Sequence, residues 1–254
     1  MSTALFENIV FGPVSSRRLG VSLGVNLLPR HGKLCNFDCI YCECGWNEEH
    51  RDDKVLPTVE QVAAALEARL AEFSSEGKRI DTITFSGNGE PTIHPDFPEI
   101  IRRTLELRDR FFPQAKVSVL SNATMIWKKD VRDALMKVDN PILKLDSADI
   151  EVVRAVNRPR GEYSIETVLE GMEAFKGDFI LQSILFKGSG YDMSDTGRLE
   201  RWYEIVRRVR PREIMLYTID RDTPQKGLSK VTVSEMEKIA EPLVKEGFRV
   251  QIRG

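Results

Sequence analysis

The chain is 254 residues long, 41% hydrophobic and 8% aromatic, with a formal net charge of −2. That length holds one large α/β domain spanning 1–254 without requiring a second, and the composition suits a soluble globular core. The charge excludes a strongly basic protein. The opening MSTALFENIVFGPVSSRRLG lacks a secretory pattern and no stretch approaches a bilayer span, so the expected location is the cytoplasm with no membrane partner.

In chain order, Ser22 to Leu28 reads as a first strand, followed by a loop that carries all four cysteines. A helix starts near Thr58, where T-V-E-Q forms a capping box with Gln61, and its apolar positions Val62, Leu66, Leu70 and Phe73 recur at helical spacing. Thr82 to Phe85 is a second strand, ending in Ser86-Gly87-Asn88-Gly89-Glu90-Pro91, and a helix from about Pro95 leads to a third strand, Lys116 to Leu120, ending at Ser121-Asn122. Further strands run from Pro141 to Leu145, ending at Asp146-Ser147; from Phe179 to Phe186; and from Ile214 to Ile219, ending at Asp220-Arg221. A helix from Thr232, with its own T-V-S-E box, precedes a last strand at Phe248 to Ile252.

Short β-branched runs alternating with amphipathic stretches predict parallel strands joined by crossover helices. Six or seven βα units fit a partial (βα)6-type barrel of parallel strands with outer helices, the alternative being a doubly wound open sheet. In both folds functional groups collect at the carboxyl ends of strands, where the polar residues above fall.

Cys35, Cys39, Cys42 and Cys44 lie within ten consecutive residues, which is poor geometry for a disulfide framework and points to reduced thiols reserved for a metal or for catalysis. The Cys35-x3-Cys39-x2-Cys42 spacing offers three thiolates from one loop. On a cubane of four irons, three thiolates leave one iron open to a small molecule. A structural zinc site is the plainer rival, but no second Cys or His pair follows, the only histidines being His31, His50 and His94.

C-N-F-D-C-I-Y-C resembles the CxxxCx(aromatic)C signature of the radical S-adenosylmethionine (SAM) superfamily, with Tyr41 in the aromatic place. The resemblance implies a [4Fe–4S] cluster on Cys35, Cys39 and Cys42. Its open iron would chelate SAM, and Tyr41 would lie against the adenine. One electron would then split SAM to methionine and a 5′-deoxyadenosyl radical that abstracts a hydrogen from substrate. A reducing partner such as flavodoxin or ferredoxin is implied as well. The segment Gly87-Asn88-Gly89-Glu90 resembles the family's Gly-Gly-Glu segment at the SAM ammonium, with Asn88 interrupting the glycine pair. Asn122 and Asp146 stand where the family places SAM carboxylate and ribose contacts, and Ser121 and Ser147 are weaker candidates.

F-G-P-V-S-S-R-R-L-G-V-S-L-G-V-N-L-L-P, G-N-G-E-P-T-I-H-P and Y-T-I-D-R-D-T-P resemble a group related to wyosine synthases, which rebuild a guanine base in tRNA. Wyosine synthases carry a second cluster upstream of the triad and a lysine that captures pyruvate; upstream of Cys35 this chain has no cysteine and only Lys33. An RNA substrate stays open through Arg17 and Arg18, whose guanidinium forks suit phosphate. Two other classes remain: a glycyl-radical activating enzyme acting on a protein, and a non-catalytic iron–sulfur module. Four further readings concern single groups. Cys44 is a spare thiol or a hydrogen-atom donor or nucleophile near the cluster. His94 is a local cap or a catalytic group, Gln182 an inward-pointing or buried core amide, and Arg207, Arg208, Arg210 and Arg212 a solvated face or a phosphate-binding run.

Overall fold

The computed structural model describes residues 5–16, 19–49, 53–188 and 190–254. Arg17 and Arg18, to which a phosphate contact was assigned, lie outside the described residues, as does His50. The chain opens on a hairpin of β1 (Val10–Ser16) and β2 (Gly20–Val25). It continues through α1 (Val59–Ser75), β3 (Thr82–Phe85), α2 (Phe97–Phe111), β4 (Lys116–Ser121), α3 (Lys129–Leu135) and β5 (Asn140–Lys144). Helices α4 (Ile150–Val156) and α5 (Ile165–Glu173) precede β6 (Ile180–Ile184), β7 (Phe186–Gly188) and β8 (Tyr191–Asp192). Then come α6 (Thr196–Val209), β9 (Glu213–Tyr217), β10 (Ser229–Lys230), α7 (Val233–Lys245) and β11 (Val250–Arg253).

One eight-stranded sheet runs in the order β1-β2-β3-β4-β5-β6-β9-β11, antiparallel only between β1 and β2. Strand order follows chain order without a reversal, which rules out the doubly wound sheet, since that fold reverses at a switch point. Six crossovers in one direction, each right-handed by rule, carry the helices to one face. Alternate strand residues, among them Leu23, Ile83, Val117, Leu143, Leu181 and Ile214, belong to the main core with the helices. Their neighbours Ile142, Ile180 and Met215 form a separate small cluster with Leu19 and Leu120 on the opposite, concave face. The partial-barrel expectation therefore stands, with a seventh parallel strand, β11, as one edge.

Both expected capping boxes form, Thr58 with Gln61 on α1 and Thr232 with Glu235 on α7. Three differences from the sequence reading have a local cause. The first strand ends at Val25 rather than Leu28, because the Asn26 side chain bonds the Leu28 N–H at 3.2 Å and the Leu28 carbonyl at 3.1 Å and turns the chain out of the ladder. The strand read as Phe179 to Phe186 breaks after Ile184, whose N–H bonds the Asp146 carboxylate at 3.2 Å instead of a neighbouring strand. Phe186 onward joins a separate three-stranded sheet, β10-β7-β8. Strand β1 was not expected, since it contains Gly12 and Pro13, and its register shifts across them. Proline is tolerated there because β1 is an edge.

Candidate active site

The cysteine loop is clamped at both flanks. Upstream, Leu34 bridges the turn after β3: its N–H bonds the Asn88 carbonyl at 2.9 Å, and its carbonyl accepts the Glu90 N–H at 3.1 Å. Downstream, the Asp38 and Ile40 N–H groups bond the Asn157 and Val156 carbonyls, both at 2.9 Å, at the end of α4. Inside the loop Lys33 is buried, donating to the Gly45 carbonyl at 2.6 Å and facing Asp38 at 3.4 Å. Burial alone would lower its ammonium, but the surrounding Cys42, Cys35 and Cys39 raise it.

Cys35, Cys39 and Cys42 line a cavity of about 460 Å³ at the carboxyl ends of the strands. Burial pushes the Cys39 thiol up to about 11 and Cys35 further still. Cys42 is lowered to about 6, chiefly by its hydrogen bond with Cys44, which rises in turn. Cys44 does not line the cavity; its thiol donates to the Gly87 carbonyl at 3.4 Å. Two amides point at the cavity sulfurs: Asn122 Nδ2 lies 3.7 Å from Cys35 Sγ, and Asn157 Nδ2 lies 3.5 Å from Cys39 Sγ.

Of the residues expected at SAM, Tyr41, Gly89, Glu90 and Asn122 line the cavity. Gly87, Asn88 and Asp146 do not, and each has a structural reason. Asn88 is fully buried, its side chain accepting from Phe6 N at 2.8 Å and donating to the Pro29 carbonyl at 2.7 Å, so it ties the N-terminal segment to the cysteine loop. Gly87 packs on Asn26, whose Oδ1 would lie 2.3 Å from an added Cβ. Asp146 is spent internally: its carboxylate accepts from the Tyr41 hydroxyl, from Asn157 Nδ2 at 2.7 Å and from Ile184 N–H, and stands 3.5 Å from Lys144 Nζ. Gly89 has φ +136° and faces the backbone of Leu34, so its lack of a side chain serves the clamp as well as the cavity.

Glu90 is buried and accepts four hydrogen bonds, from Thr92 N–H and hydroxyl, Ser121 hydroxyl and Asn122 N–H, at 2.5–3.1 Å. Burial nonetheless raises its carboxyl above the usual value. Sequence reasoning missed Lys144, Tyr217 and Asn157. Lys144 Nζ lies 4.8 Å from the centres of both the Tyr41 and Tyr217 rings and donates to the Tyr217 hydroxyl. Burial would lower its ammonium, but Asp146 and Tyr217 hold it above the usual lysine value. A lysine closing the apolar run P-I-L-K was the available signal.

The other candidates resolve locally. His94 accepts from Asp96 N–H at 3.1 Å and pairs with the Pro57 carbonyl at 2.9 Å, as a local cap does. Ser147 caps Asp149 N–H at 3.0 Å, away from the cavity. Arg207, Arg208 and Arg212 form exposed ion pairs with Glu246, Glu166 and Asp178.

The model of the Radical SAM superfamily matches residues 30–202. The chain belongs to the radical SAM superfamily. It is 30% identical over 236 residues to a UPF0026 protein of Methanocaldococcus jannaschii, covering 91% of this chain and 70% of that protein. A UPF0026 protein of Helicobacter pylori is 31% identical over 248 residues, covering 96% of this chain and 76% of that protein. A probable GTP 3′,8-cyclase of Methanocella arvoryzae is 33% identical over 153 residues, 60% of this chain and 42% of that protein. Among solved structures, a radical SAM methyltransferase from Sphaerobacter thermophilus shares the fold with a TM-score of 0.66 at 13% identity, over 91% of this chain and 65% of that one. The structure of anSMEcpe with bound AdoMet has a TM-score of 0.59 at 17% identity, over 91% of this chain and 63% of that one.

As a radical SAM enzyme, the protein works with a [4Fe–4S] cluster and SAM, and requires a reductant. No helix among the described residues is long and apolar enough to cross a membrane.

Proposed function

We propose that Cys35, Cys39 and Cys42 hold the cluster, and that SAM lies beside it against Tyr41, Gly89, Glu90 and Asn122. One observation carries this reading: a single cavity of about 460 Å³ at the strand carboxyl ends gathers those three thiols and those four residues, and Cys44 is not among the residues that line it. The donor set fits the group, since three thiols around one cavity leave a fourth iron open.

When bound, the cluster supplies the single electron that cleaves SAM. The chain's own residues bind and orient. Glu90, a carboxylate whose burial disfavours its charge, suits a cationic neighbour such as the SAM ammonium. Asn122 and Asn157 direct N–H groups at Cys35 and Cys39, and such bonds to coordinating sulfur tune a cluster's potential. Asp146 acts one layer back, fixing the Tyr41 ring and the Lys144 ammonium around the cavity.

The substrate reading is a nucleotide, free or within RNA, and the cluster's electron would come from a flavodoxin- or ferredoxin-type partner in the cytoplasm. It rests on similarity to a probable GTP 3′,8-cyclase and on motifs resembling wyosine synthases. The test is anaerobic incubation of reconstituted protein with SAM and dithionite, alone and with nucleotide or RNA fractions. Formation of 5′-deoxyadenosine, increased by one fraction, is expected. Protein that carries about four irons per chain yet releases none would overturn the reading.

A further inference from the structure

A second chamber, of about 330 Å³, lies inside the concave face of the sheet and shares Val14, Leu120, Gln182 and Arg221 with the upper cavity. Its walls are largely apolar, with Phe11, Leu120, Ile142 and Met215 among them. Its buried hydroxyls, Ser22 and Thr84, bond each other at 2.8 Å, and the chain continues through Thr82 to Ser118 at 2.9 Å; half-buried Ser86 lines the chamber as well. Among the described residues that line the chamber, Arg221 alone carries a charge. It is 61% exposed and paired with Glu43 at 2.8 Å, so it belongs to the mouth.

Gln182 breaks this pattern. It sits mid-strand in β6, between Lys144 and Met215 on the neighbouring strands, and is only 5% exposed. No hydrogen bond from the described residues reaches its side-chain amide, and neither amide atom is sealed off from the cavities. An amide that no described side chain or backbone group meets, but that faces a cavity, is left for water or a ligand to complete. A carboxamide offers a donor and an acceptor side by side, which matches the paired donor and acceptor on a nucleobase edge. The largely apolar walls that the described residues form suit the faces of such a ring.

We propose that this chamber is the substrate pocket and that Gln182 is its recognition group, reading the donor–acceptor edge of a nucleobase. The proposal rests on the nucleotide reading above and adds the residue that selects the base.

The test uses anaerobically reconstituted protein saturated with SAM, titrated by equilibrium dialysis with GMP, AMP, CMP and UMP, and with ribose 5-phosphate as the base-free control. Wild type is expected to bind at least one nucleotide about tenfold or more tightly than ribose 5-phosphate, and Gln182→Leu to erase that preference. Thermal unfolding of the ligand-free proteins adds an independent readout. Gln182→Leu is expected to melt within a few degrees of wild type, because the amide it replaces has no hydrogen bond to another described residue to lose. An unchanged preference in Gln182→Leu, no nucleotide preferred by wild type, or a markedly lower melting temperature would each overturn the proposal. SAM affinity measured in the same samples separates the two readings. Wild type that fails to bind SAM faults the site assignment, whereas retained SAM binding without base selection faults only Gln182.

Discussion

Gly89 and Leu34 pass so close that a Cβ on Gly89 would stand 1.9 Å from the Leu34 carbonyl oxygen, and Leu34 immediately precedes the first cysteine of the triad. The glycine is thus a fixture of the cysteine loop. From sequence, its value lay in letting the backbone approach a ligand, and Gly89→Val would then block SAM while sparing the cluster. The structure changes that expectation. A branched side chain at φ +136° must push the Leu34 backbone away, and the loop moves with it. Gly89→Val is expected to lose the cluster as well as SAM, with iron after anaerobic reconstitution falling well below the wild-type content of about four per chain. Full iron with only SAM binding lost would return Gly89 to a purely ligand-facing role.

The four thiols divide by their place at the cavity. Cys35, Cys39 and Cys42 line it, and Cys44 stands behind, bonding Cys42 and the Gly87 carbonyl. Alanine at any of the first three removes a ligand and leaves a second iron unprotected, so iron content should collapse in each. Cys44→Ala should keep about four irons per chain. A variant series in which Cys44→Ala loses iron while Cys35→Ala retains it would reverse the assignment.

Asp146 was expected to contact SAM, with a mild loss of affinity on substitution. Its carboxylate instead meets Tyr41, Asn157, Ile184 N–H and Lys144, with its side chain 1% and that of Lys144 15% exposed. Removing it leaves a buried ammonium without its counter-charge, a change that costs about 3–5 kcal/mol. Asp146→Ala should therefore lower the urea midpoint and cluster retention together, because Asn157 also reaches Cys39. A variant with wild-type stability and a selective defect in SAM affinity would restore the direct contact.

These outcomes separate what is legible in a sequence from what is not. The triad was legible because three thiols at short spacing have few structural uses. The strands were legible because β-branched runs ended in polar residues, and the order of units carried the barrel. The partners of Asp146 were not legible, because the ladder of β5 ends at Lys144 and beyond it the period of two no longer directs side chains. Asn88 carries the same chemistry whether it binds a ligand or clasps Phe6 and Pro29, so only its partners decide. The small sheet of β7, β8 and β10 has strands of two or three residues, too short to leave a periodic pattern.

The last prediction separates this chain from wyosine synthases, which its motifs resemble. That chemistry needs a second cluster and a lysine free to capture pyruvate. The four cysteines here are the triad and Cys44, and one further thiol cannot hold a second cubane. Lys33, the only lysine upstream of Cys35, has a side chain 1% exposed and is held by the Gly45 carbonyl and Asp38 among the cysteines, where burial and the raised ammonium both oppose its acting as a free amine nucleophile. Anaerobic incubation with pyruvate, SAM, dithionite and tRNA bearing N1-methylguanosine should therefore give no tricyclic base by nucleoside mass spectrometry, from protein holding about four irons per chain. A tricyclic product, or iron near eight per chain, would mean that this chain houses a second cluster that its cysteines do not provide for.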